Sequence, residues 1–294
     1  MLTKILSKLG IAMLYLISFL PFWLLYKISD LLFIVLYHVM HYRRDVVQAN
    51  LRNSFPEKNG AELKVIEKEY YSYLADLSVE TVKLFTISEK EVMKRMRCTN
   101  FDLIQGYFAQ GKSVIGALGH YGNWELAAHC LSLLTQTERR IIVYKPLTNK
   151  TFDNAFIKVR SRFGATLVAM QNTMRTLVSY KKETTISVLV SDQTPVQSEA
   201  NYFTEFLNQP TAVFLGVEKL SKLLNNVVVF CDIRRIKRGY YTVTFVPLFD
   251  DAKNTAEYEI TREHVRYLEN VIKQEPAYWL WSHKRWKFTP PHSN

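Results

Sequence analysis

The residues best suited to chemistry lie in the stretch 120–125, which reads HYGNWE between a predicted buried strand and a predicted helix. In one continuous helix His120 and Glu125 would lie on different faces, because five residues turn the chain by about 500°. Glycines at positions 119 and 122 instead predict a tight turn, with Asn123 as the cap of the following helix. Glu125 can then approach one imidazole nitrogen of His120, which leaves the other nitrogen free as a general base.

The sequence offers no nucleophile for a covalent mechanism. No serine occurs in a G-x-S-x-G turn, and Cys98, Cys130 and Cys231 lie far apart without a CxxC pair. The cysteine spacing predicts neither a zinc site nor a disulfide framework, and we expect no metal and no cofactor. The predicted chemistry is therefore direct: His120 deprotonates a hydroxyl group, which then attacks an activated acyl group. By spacing alone, the same pair would indicate only a packed histidine and a capped helix.

The stretch 106–113, GYFAQGKS, matches the G-x-x-x-x-G-K-[ST] pattern of phosphate-binding loops. That pattern requires a strand before the first glycine and a helix that begins at the lysine. Here the order is reversed, because a helix is predicted at 101–109 and a strand at 113–118. Gly111 is then a helix C-cap, and we do not expect a nucleotide site there.

The first forty residues predict a membrane anchor. Residues 9–26 carry no charge, and apolar character resumes at 31–40. As one helix, residues 9–40 would be about 48 Å long, compared with a hydrocarbon core of about 30 Å. Pro21 predicts one kinked helix or two short helices. A buried hairpin is the main alternative, and a cleaved signal peptide is disfavoured because no small-residue cleavage site follows.

The rest of the chain predicts an α/β fold, with a mixed β-sheet flanked by helices, because strands alternate with helices before a final hairpin. Strands are predicted at 113–118, 140–144, 165–170, 185–190, 227–235 and 240–248. Helices are predicted at 61–85, 88–97, 124–134, 152–163, 173–181, 211–224 and 257–273. With a polar connector at 43–60, the organisation is an anchor in 1–44 and one catalytic domain in 45–294.

Composition excludes several classes of protein. Of 294 residues, 48% are hydrophobic and only 10 are Gly and 9 Pro, which excludes a disordered chain. A mean hydropathy of −0.08 argues against a polytopic membrane protein. The net charge of +11 indicates polyanionic partners: nucleic acid, an anionic membrane, a phosphorylated substrate or an acidic protein. Aromatic and basic residues alternate in the tail 279–287, which behind an anchor favours lipid headgroups over nucleic acid.

The stretch GHYGNWE resembles the H-x₄-D/E block of glycerolipid acyltransferases, in the form found in lipid A biosynthesis acyltransferases. Enzymes of that family move a fatty acyl chain from acyl carrier protein to a hydroxyl of a lipid A precursor. Further stretches match in order along almost the whole chain: YRR at 42–44, NLR at 50–52, FP at 55–56, VYKP at 143–146, RSRFG at 160–164, SDQ at 191–193 and YWLWSHKRWK at 278–287.

The resemblance implies catalytic roles for His120 as the base, Glu125 as its partner and Arg160 as the active-site arginine. An arginine there would bind a substrate phosphate or stabilise the tetrahedral oxyanion. The spacing leaves open which of two arginines faces the site, and the acidic residue after the strand at 185–190 could equally be a structural acceptor. We predict the following substrate-binding residues around the catalytic group: Arg162, Asp192, Asn123 and Tyr121.

The resemblance also implies partners and a location. The expected partners are acyl carrier protein as the donor, a lipid acceptor and an anionic membrane, with no nucleic acid. The expected location is the bacterial inner membrane, with the catalytic domain on the cytoplasmic face. A different lipid acceptor (a lysophospholipid, an amino-acid lipid or a glycolipid) and a non-catalytic membrane-surface protein remain alternatives. The acyl chain length, the acceptor hydroxyl, the number and orientation of membrane helices and the oligomeric state stay open.

Overall fold

A computed structural model describes residues 2–135 and 137–290 of the chain. The strands, numbered in chain order, are β1 (Met96–Cys98), β2 (Val114–Leu118), β3 (Arg139–Tyr144), β4 (Thr166–Ala169), β5 (Thr185–Val190), β6 (Phe203–Phe206), β7 (Gln209–Ala212), β8 (Val227–Lys237) and β9 (Tyr240–Phe249). Within the described residues, seven strands form one sheet in the order β1-β9-β8-β2-β5-β3-β4. The other two strands, β6 and β7, form a separate antiparallel hairpin.

The sheet is mixed, as predicted, with a parallel centre. Strand β2 lies between β5 and β8 and is parallel to both. Strand β9 is antiparallel to β8, which makes the hairpin that the sequence predicted. The last residue of β2, Leu118, is directly opposite the last residue of β5, Val190. The residues that follow these two strands therefore meet at one edge of the sheet, the edge where open α/β sheets bind ligands.

Helices cover both faces of this sheet. They are α1 (Leu2–Ser18), α2 (Phe22–Ile34), α3 (Arg44–Ser54), α4 (Gly60–Lys83), α5 (Glu89–Arg95), α6 (Phe101–Ala109), α7 (Trp124–Leu134), α8 (Lys150–Arg160), α9 (Thr173–Ser179), α10 (Gly216–Leu224) and α11 (Glu259–Gln274). Side chains of β2 alternate between two apolar cores, since successive strand residues face opposite sides. Ile115 and Ala117 join a core with α4, α10 and α11. Val114 and Leu118 join a second core with α6 and α7.

Two predicted elements differ from the structure near the ends of the sheet. The connector predicted at 43–60 contains helix α3, whose Val47 and Leu51 are buried between polar neighbours. The helix predicted at 88–97 ends earlier, because Met96 pairs with Tyr241 and begins strand β1. These short elements were missed because only tertiary pairing and packing distinguish them from a loop or a helix end.

The order of elements around the phosphate-loop lookalike is as predicted. Helix α6 precedes Gly111 and strand β2 follows it. Gly111 has a φ of 70°, the left-handed conformation of a helix C-cap. The helix terminus that would bind phosphate in such a loop is therefore not formed at this stretch.

The apolar N-terminal segment forms two helices that break at Pro21 and pack on the rest of the protein. A π-helical turn, Val35–Val39, continues α2, and Phe22–Val39 is long and apolar enough to cross a membrane. Two hydroxyl groups of α2 bond to α4: Ser29 donates to Asp76 (2.7 Å) and Tyr26 donates to Glu80 (3.0 Å). The outward faces of α1, α2 and the turn between them expose large apolar side chains, namely Ile5, Leu6, Leu9, Met13, Leu16, Phe19, Trp23, Leu31 and Ile34.

Candidate active site

His120 lies two residues after β2, at the edge where β2 and β5 end together. Gly119 makes this position possible, because a Cβ at residue 119 would lie 2.7 Å from the side chain of Leu268 and 3.1 Å from Asp192. A larger residue would push the chain away from α11 and from the end of β5. The glycine before the histidine is therefore a packing requirement of the site.

Asp192, two residues after β5, holds the imidazole of His120. The ring nitrogen Nδ1 lies 2.6 Å from one carboxylate oxygen of Asp192, and the His120 backbone N–H donates to the other oxygen at 2.8 Å. The Trp279 indole N–H donates to that second oxygen at 2.7 Å. Because a carboxylate only accepts, Nδ1 carries the proton and Nε2 keeps its lone pair. The side-chain amide of Gln193 lies 3.2 Å from Nε2, on the open side of the ring.

The Asp192 carboxylate is buried but remains charged. Burial alone would raise the pKa of Asp192, but the positive imidazole and the hydrogen bonds from His120 and Trp279 lower it to about 2. A carboxylate that is ionised at neutral pH fixes one tautomer of the ring and stabilises the imidazolium that forms when Nε2 takes a proton. An imidazole held in this way can act as a general base.

Glu125 does not make the contact with His120 that the sequence predicted. Its two carboxylate oxygens are bound by Arg160 at the end of α8, with Nε donating at 2.8 Å and Nη2 donating to the second oxygen. The helix α7 begins at Trp124, where the Asn123 side chain accepts from the Leu126 N–H at 2.9 Å. Glu125 therefore projects toward α8, and the imidazole partner comes from the neighbouring strand instead.

Of the two candidate arginines, Arg160 faces Glu125 and Arg162 does not. Burial by itself would lower the pKa of Arg160, but hydrogen bonding to Glu125 and its negative charge raise it. Arg162 donates to the backbone carbonyls of Leu84 (2.7 Å) and Ile87 (2.9 Å), just beyond α4. These two bonds connect the end of α4 to the loop after α8, and a substrate contact of Arg162 stays a prediction.

Tyr121 and Asn123, predicted to bind substrate, are bonded within the protein. Tyr121 is buried, and its hydroxyl donates to the carbonyl of Glu275 at 2.9 Å. Asn123 has no exposed surface; besides capping α7, its amide donates to Glu80 at 2.7 Å. These bonds shape the turn after His120 and direct both side chains into the protein, and their part in substrate binding stays a prediction.

Two polar contacts from α4 support the turn and were not predicted. The buried Glu80 carboxylate accepts from Asn123 and, at 2.8 Å, from Tyr241 of β9. Burial raises the pKa of Glu80, and these hydrogen bonds oppose that shift. The hydroxyl of Tyr73 donates to the carbonyl of Gly122, which has a φ of 59°. No local pattern around residues 73–80 indicates these contacts, whereas Gln193 and Trp279 lie within stretches that match the family.

Trp124 lies between the imidazole and an apolar cavity, since its side chain contacts the ring and lines the cavity. The His120 ring meets the Trp124 ring edge to face, with 4.9 Å between ring centroids. Trp124 also lines a cavity between α7 and the sheet, together with Leu118, Ala127, Ala128, Leu131 and Leu134. Among the described residues, no group of three His, Cys, Asp or Glu side chains is placed to hold a metal ion. The candidate site therefore combines an oriented imidazole and a paired arginine, with an apolar cavity behind Trp124.

Known proteins with similar sequences belong to one family of enzymes. The family model described as bacterial lipid A biosynthesis acyltransferase matches residues 1–288. The chain is similar to a lipid A biosynthesis acyltransferase of Haemophilus influenzae, with 25% identity over 93% of this chain and 85% of that protein. It is also similar to the lipid A biosynthesis myristoyltransferase of Escherichia coli, with 22% identity over 82% and 74% of the two chains. The palmitoleoyltransferase of lipid A biosynthesis from Escherichia coli shows 20% identity over 84% and 80%.

The family model spans nearly the whole chain, including every stretch that carries the site. Together with the α/β sheet and the histidine at its edge, this match shows that the protein is an acyltransferase and belongs to the bacterial lipid A biosynthesis acyltransferase family.

Proposed function

We propose that this enzyme transfers a fatty acyl chain from the thioester of acyl carrier protein to a hydroxyl of a lipid A precursor, with His120 as the general base. The observation that carries the proposal is the 2.6 Å contact between Nδ1 of His120 and Asp192 at the sheet edge. This contact orients the ring so that Nε2 faces away from the carboxylate. A ring held in this way is ready to accept a proton from a bound hydroxyl group.

In the proposed reaction, Nε2 of His120 takes the proton of the acceptor hydroxyl while that oxygen attacks the thioester carbonyl. The new C–O bond forms, and the tetrahedral oxyanion collapses as the C–S bond breaks. The imidazolium then returns its proton to the departing thiolate, so the enzyme ends in its starting state. Asp192 stays ionised throughout and stabilises the imidazolium, in line with its lowered pKa.

Arg160 supplies fixed positive charge for the oxyanion in this proposal. It keeps its charge because Glu125 raises its pKa, and the bidentate contact fixes the plane of the guanidinium. A preoriented cation stabilises charge that develops in the transition state. Glu125 is then a positioning residue for Arg160, a different role from the one predicted from the sequence.

The cavity behind Trp124 supports an acyl chain as the transferred group. Its lining is apolar and includes the small side chains of Ala127 and Ala128 on α7. An acyl chain bound against this lining would lie one side chain away from the imidazole, because Trp124 contacts the ring of His120. Burial of a hydrocarbon chain there removes apolar surface from water.

The N-terminal helices support attachment to the inner membrane, with the catalytic domain on the cytoplasmic face. On α1, the exposed apolar residues follow helical spacing at Leu9, Met13 and Leu16, so they form one continuous face. This face and the apolar α2 would lie in the lipid. The net charge of +11 attracts an anionic membrane surface and an acidic carrier protein.

The test is a transfer assay with the full-length protein in mixed micelles that contain a lipid A precursor and acyl carrier protein thioester. We expect the precursor to gain the mass of one acyl chain, with one free carrier thiol released per transfer. His120→Ala should reduce turnover by about 10³-fold or more, as loss of a general base does. His38→Ala, an exposed histidine outside the site, is the matched control. An inactive wild-type enzyme, or equal turnover by His120→Ala, would overturn the proposal.

A further inference from the structure

Arg285, in the C-terminal tail, is a buried cation without a bonded partner. Only 2% of its surface is exposed, and its Nε and Nη1 atoms have no hydrogen-bond partner among the described residues. Burial lowers the pKa of Arg285 to about 10, although the negative charge of Asp192 acts to raise it. The guanidinium is thus still charged at neutral pH. Because an unpaired buried charge destabilises a fold, its presence indicates an anion that arrives with a ligand.

The tail brings Arg285 beside the proposed base. Trp279 bonds to Asp192, and the Leu280 N–H donates to the carbonyl of His120 at 3.2 Å. Further along, the hydroxyl of Thr194 donates to the carbonyl of Arg285 at 2.6 Å. The tail therefore follows the segment that carries Asp192, and Arg285 lies next to the site and outside the Glu125–Arg160 pair.

His283, two residues before Arg285, adds a second unpartnered group. Its Nδ1 atom is buried and has no hydrogen-bond partner among the described residues. Burial and the positive charges of Arg285 and His120 together lower the pKa of His283 to about 4, while the negative charge of Asp192 opposes them. The ring is neutral at pH 7 and can donate one N–H without adding charge.

We propose that Arg285 and His283 form a subsite for a phosphate group of one of the two substrates. A guanidinium and a neutral imidazole N–H match the several acceptor oxygens of a phosphate. This inference rests on the proposed function, in which a phosphorylated lipid precursor is the acceptor and the prosthetic arm of the carrier protein contains a phosphodiester. Both sources present the same chemistry to the subsite.

A binding test uses thermal unfolding of the full-length protein with inorganic phosphate as the probe. Phosphate should raise the melting temperature of the wild type and of Arg266→Met, an exposed arginine paired with Glu263. It should not raise that of Arg285→Met. Without phosphate, Arg285→Met should melt no lower than the wild type, because the substitution removes an unpaired buried charge. A retained phosphate shift, or a large fall in melting temperature without phosphate, would overturn the proposal.

Two kinetic comparisons identify which of the two substrates supplies the phosphate group. On the donor side, acyl-phosphopantetheine is compared with acyl-pantetheine; on the acceptor side, a phosphorylated precursor is compared with its dephosphorylated form. For one of the two substrates, the wild type should have a KM about tenfold or more lower for the phosphorylated compound than for the compound without phosphate. A factor of this size is expected from one hydrogen bond to a charged group. Arg285→Met should remove that preference for that substrate, whereas unchanged preferences for both substrates would contradict the subsite. Failure of all transfer would refute the proposed function, and the phosphate shift would still test the subsite.

Discussion

Two carboxylates at the same edge of the sheet are paired in different ways. Asp192 is fixed by two bonds from His120 at the ends of adjacent parallel strands, and its partner can gain or lose a proton. Glu125 is bound by Arg160 between two helices, and its partner stays charged. The pair built from strand ends can therefore move a proton, whereas the pair built from helices can only supply fixed charge. Nearness in sequence to His120 does not decide which carboxylate serves the base.

The largest effect on catalysis should come from removing the negative charge of Asp192, the partner of His120. Asp192→Asn should lower kcat by about 10²- to 10⁴-fold, because the imidazolium loses its counter-charge and the ring loses its fixed tautomer. Glu125→Gln should lower kcat by a smaller factor, because it loosens Arg160 and leaves the base in place. Steady-state transfer rates with acyl carrier protein thioester measure both. A greater loss in Glu125→Gln would reverse the comparison.

The Glu125–Arg160 pair should have a clear effect on the free energy of unfolding. Arg160→Gln leaves Glu125, whose side chain is only 13% exposed, without its cation, and should lower the free energy of unfolding by about 1–3 kcal/mol. The double variant Glu125→Gln/Arg160→Gln should regain part of that stability but none of the lost activity. Urea unfolding of the four proteins measures the coupling. Additive losses would mean that the two side chains do not act as a pair.

The hydrogen bond from the Trp279 indole to Asp192 tests how much the His120–Asp192 pair depends on neighbouring residues. Trp279→Phe keeps the aromatic packing but removes one of three hydrogen bonds to the carboxylate, so we expect about a tenfold fall in kcat. Trp281→Phe is the matched control, because its indole donates to the carbonyl of Pro276 (2.6 Å). Comparable transfer rates in the two variants would mean that the indole bond of Trp279 does not support the His120–Asp192 pair.

The stability of the folded protein should also depend on pH through Asp192. Since the pKa of Asp192 is lowered from 3.8 to about 2, its pairing stabilises the folded state above about pH 4. That stabilisation is lost as the pH falls through about 2. The difference in unfolding free energy between the wild type and Asp192→Asn should therefore shrink by about 2 kcal/mol from pH 5 toward pH 2. Urea midpoints at several pH values measure it, and a constant difference would mean that the carboxylate is not stabilised in its charged form.

The sequence predicted the position of His120 but not its partner, for a physical reason. The strand, the turn and helix α7 are local patterns, and α7 was predicted at its observed bounds. The partner depends on the pairing of Leu118 with Val190, which is set by tertiary structure. Asp192 was predicted to bind substrate, with a structural acceptor as the alternative, and its pairing with His120 was not predicted.

The hairpin of β6 and β7 shows a different limit of prediction. Its two-residue loop is Leu207-Asn208, and both residues have positive φ, 52° and 58°. Turns of this kind usually contain Asn-Gly or Asp-Gly, so a leucine at the first position gives no turn signal. No element was predicted at 203–210, and the helix predicted at 211–224 begins only at Gly216, because residues 211–212 belong to β7.

The protonation state of the His120 ring shows directly whether Asp192 orients the imidazole. In ¹⁵N spectra of histidine-labelled protein, recorded at a pH where the ring is neutral and assigned with His120→Gln, we expect a protonated Nδ1 and an unprotonated Nε2. Glu125→Gln should preserve this tautomer, and Asp192→Asn should give a mixture. Two results would contradict the orientation of His120 by Asp192. One is a proton on Nε2 in the wild type, and the other is a tautomer that changes in Glu125→Gln and not in Asp192→Asn.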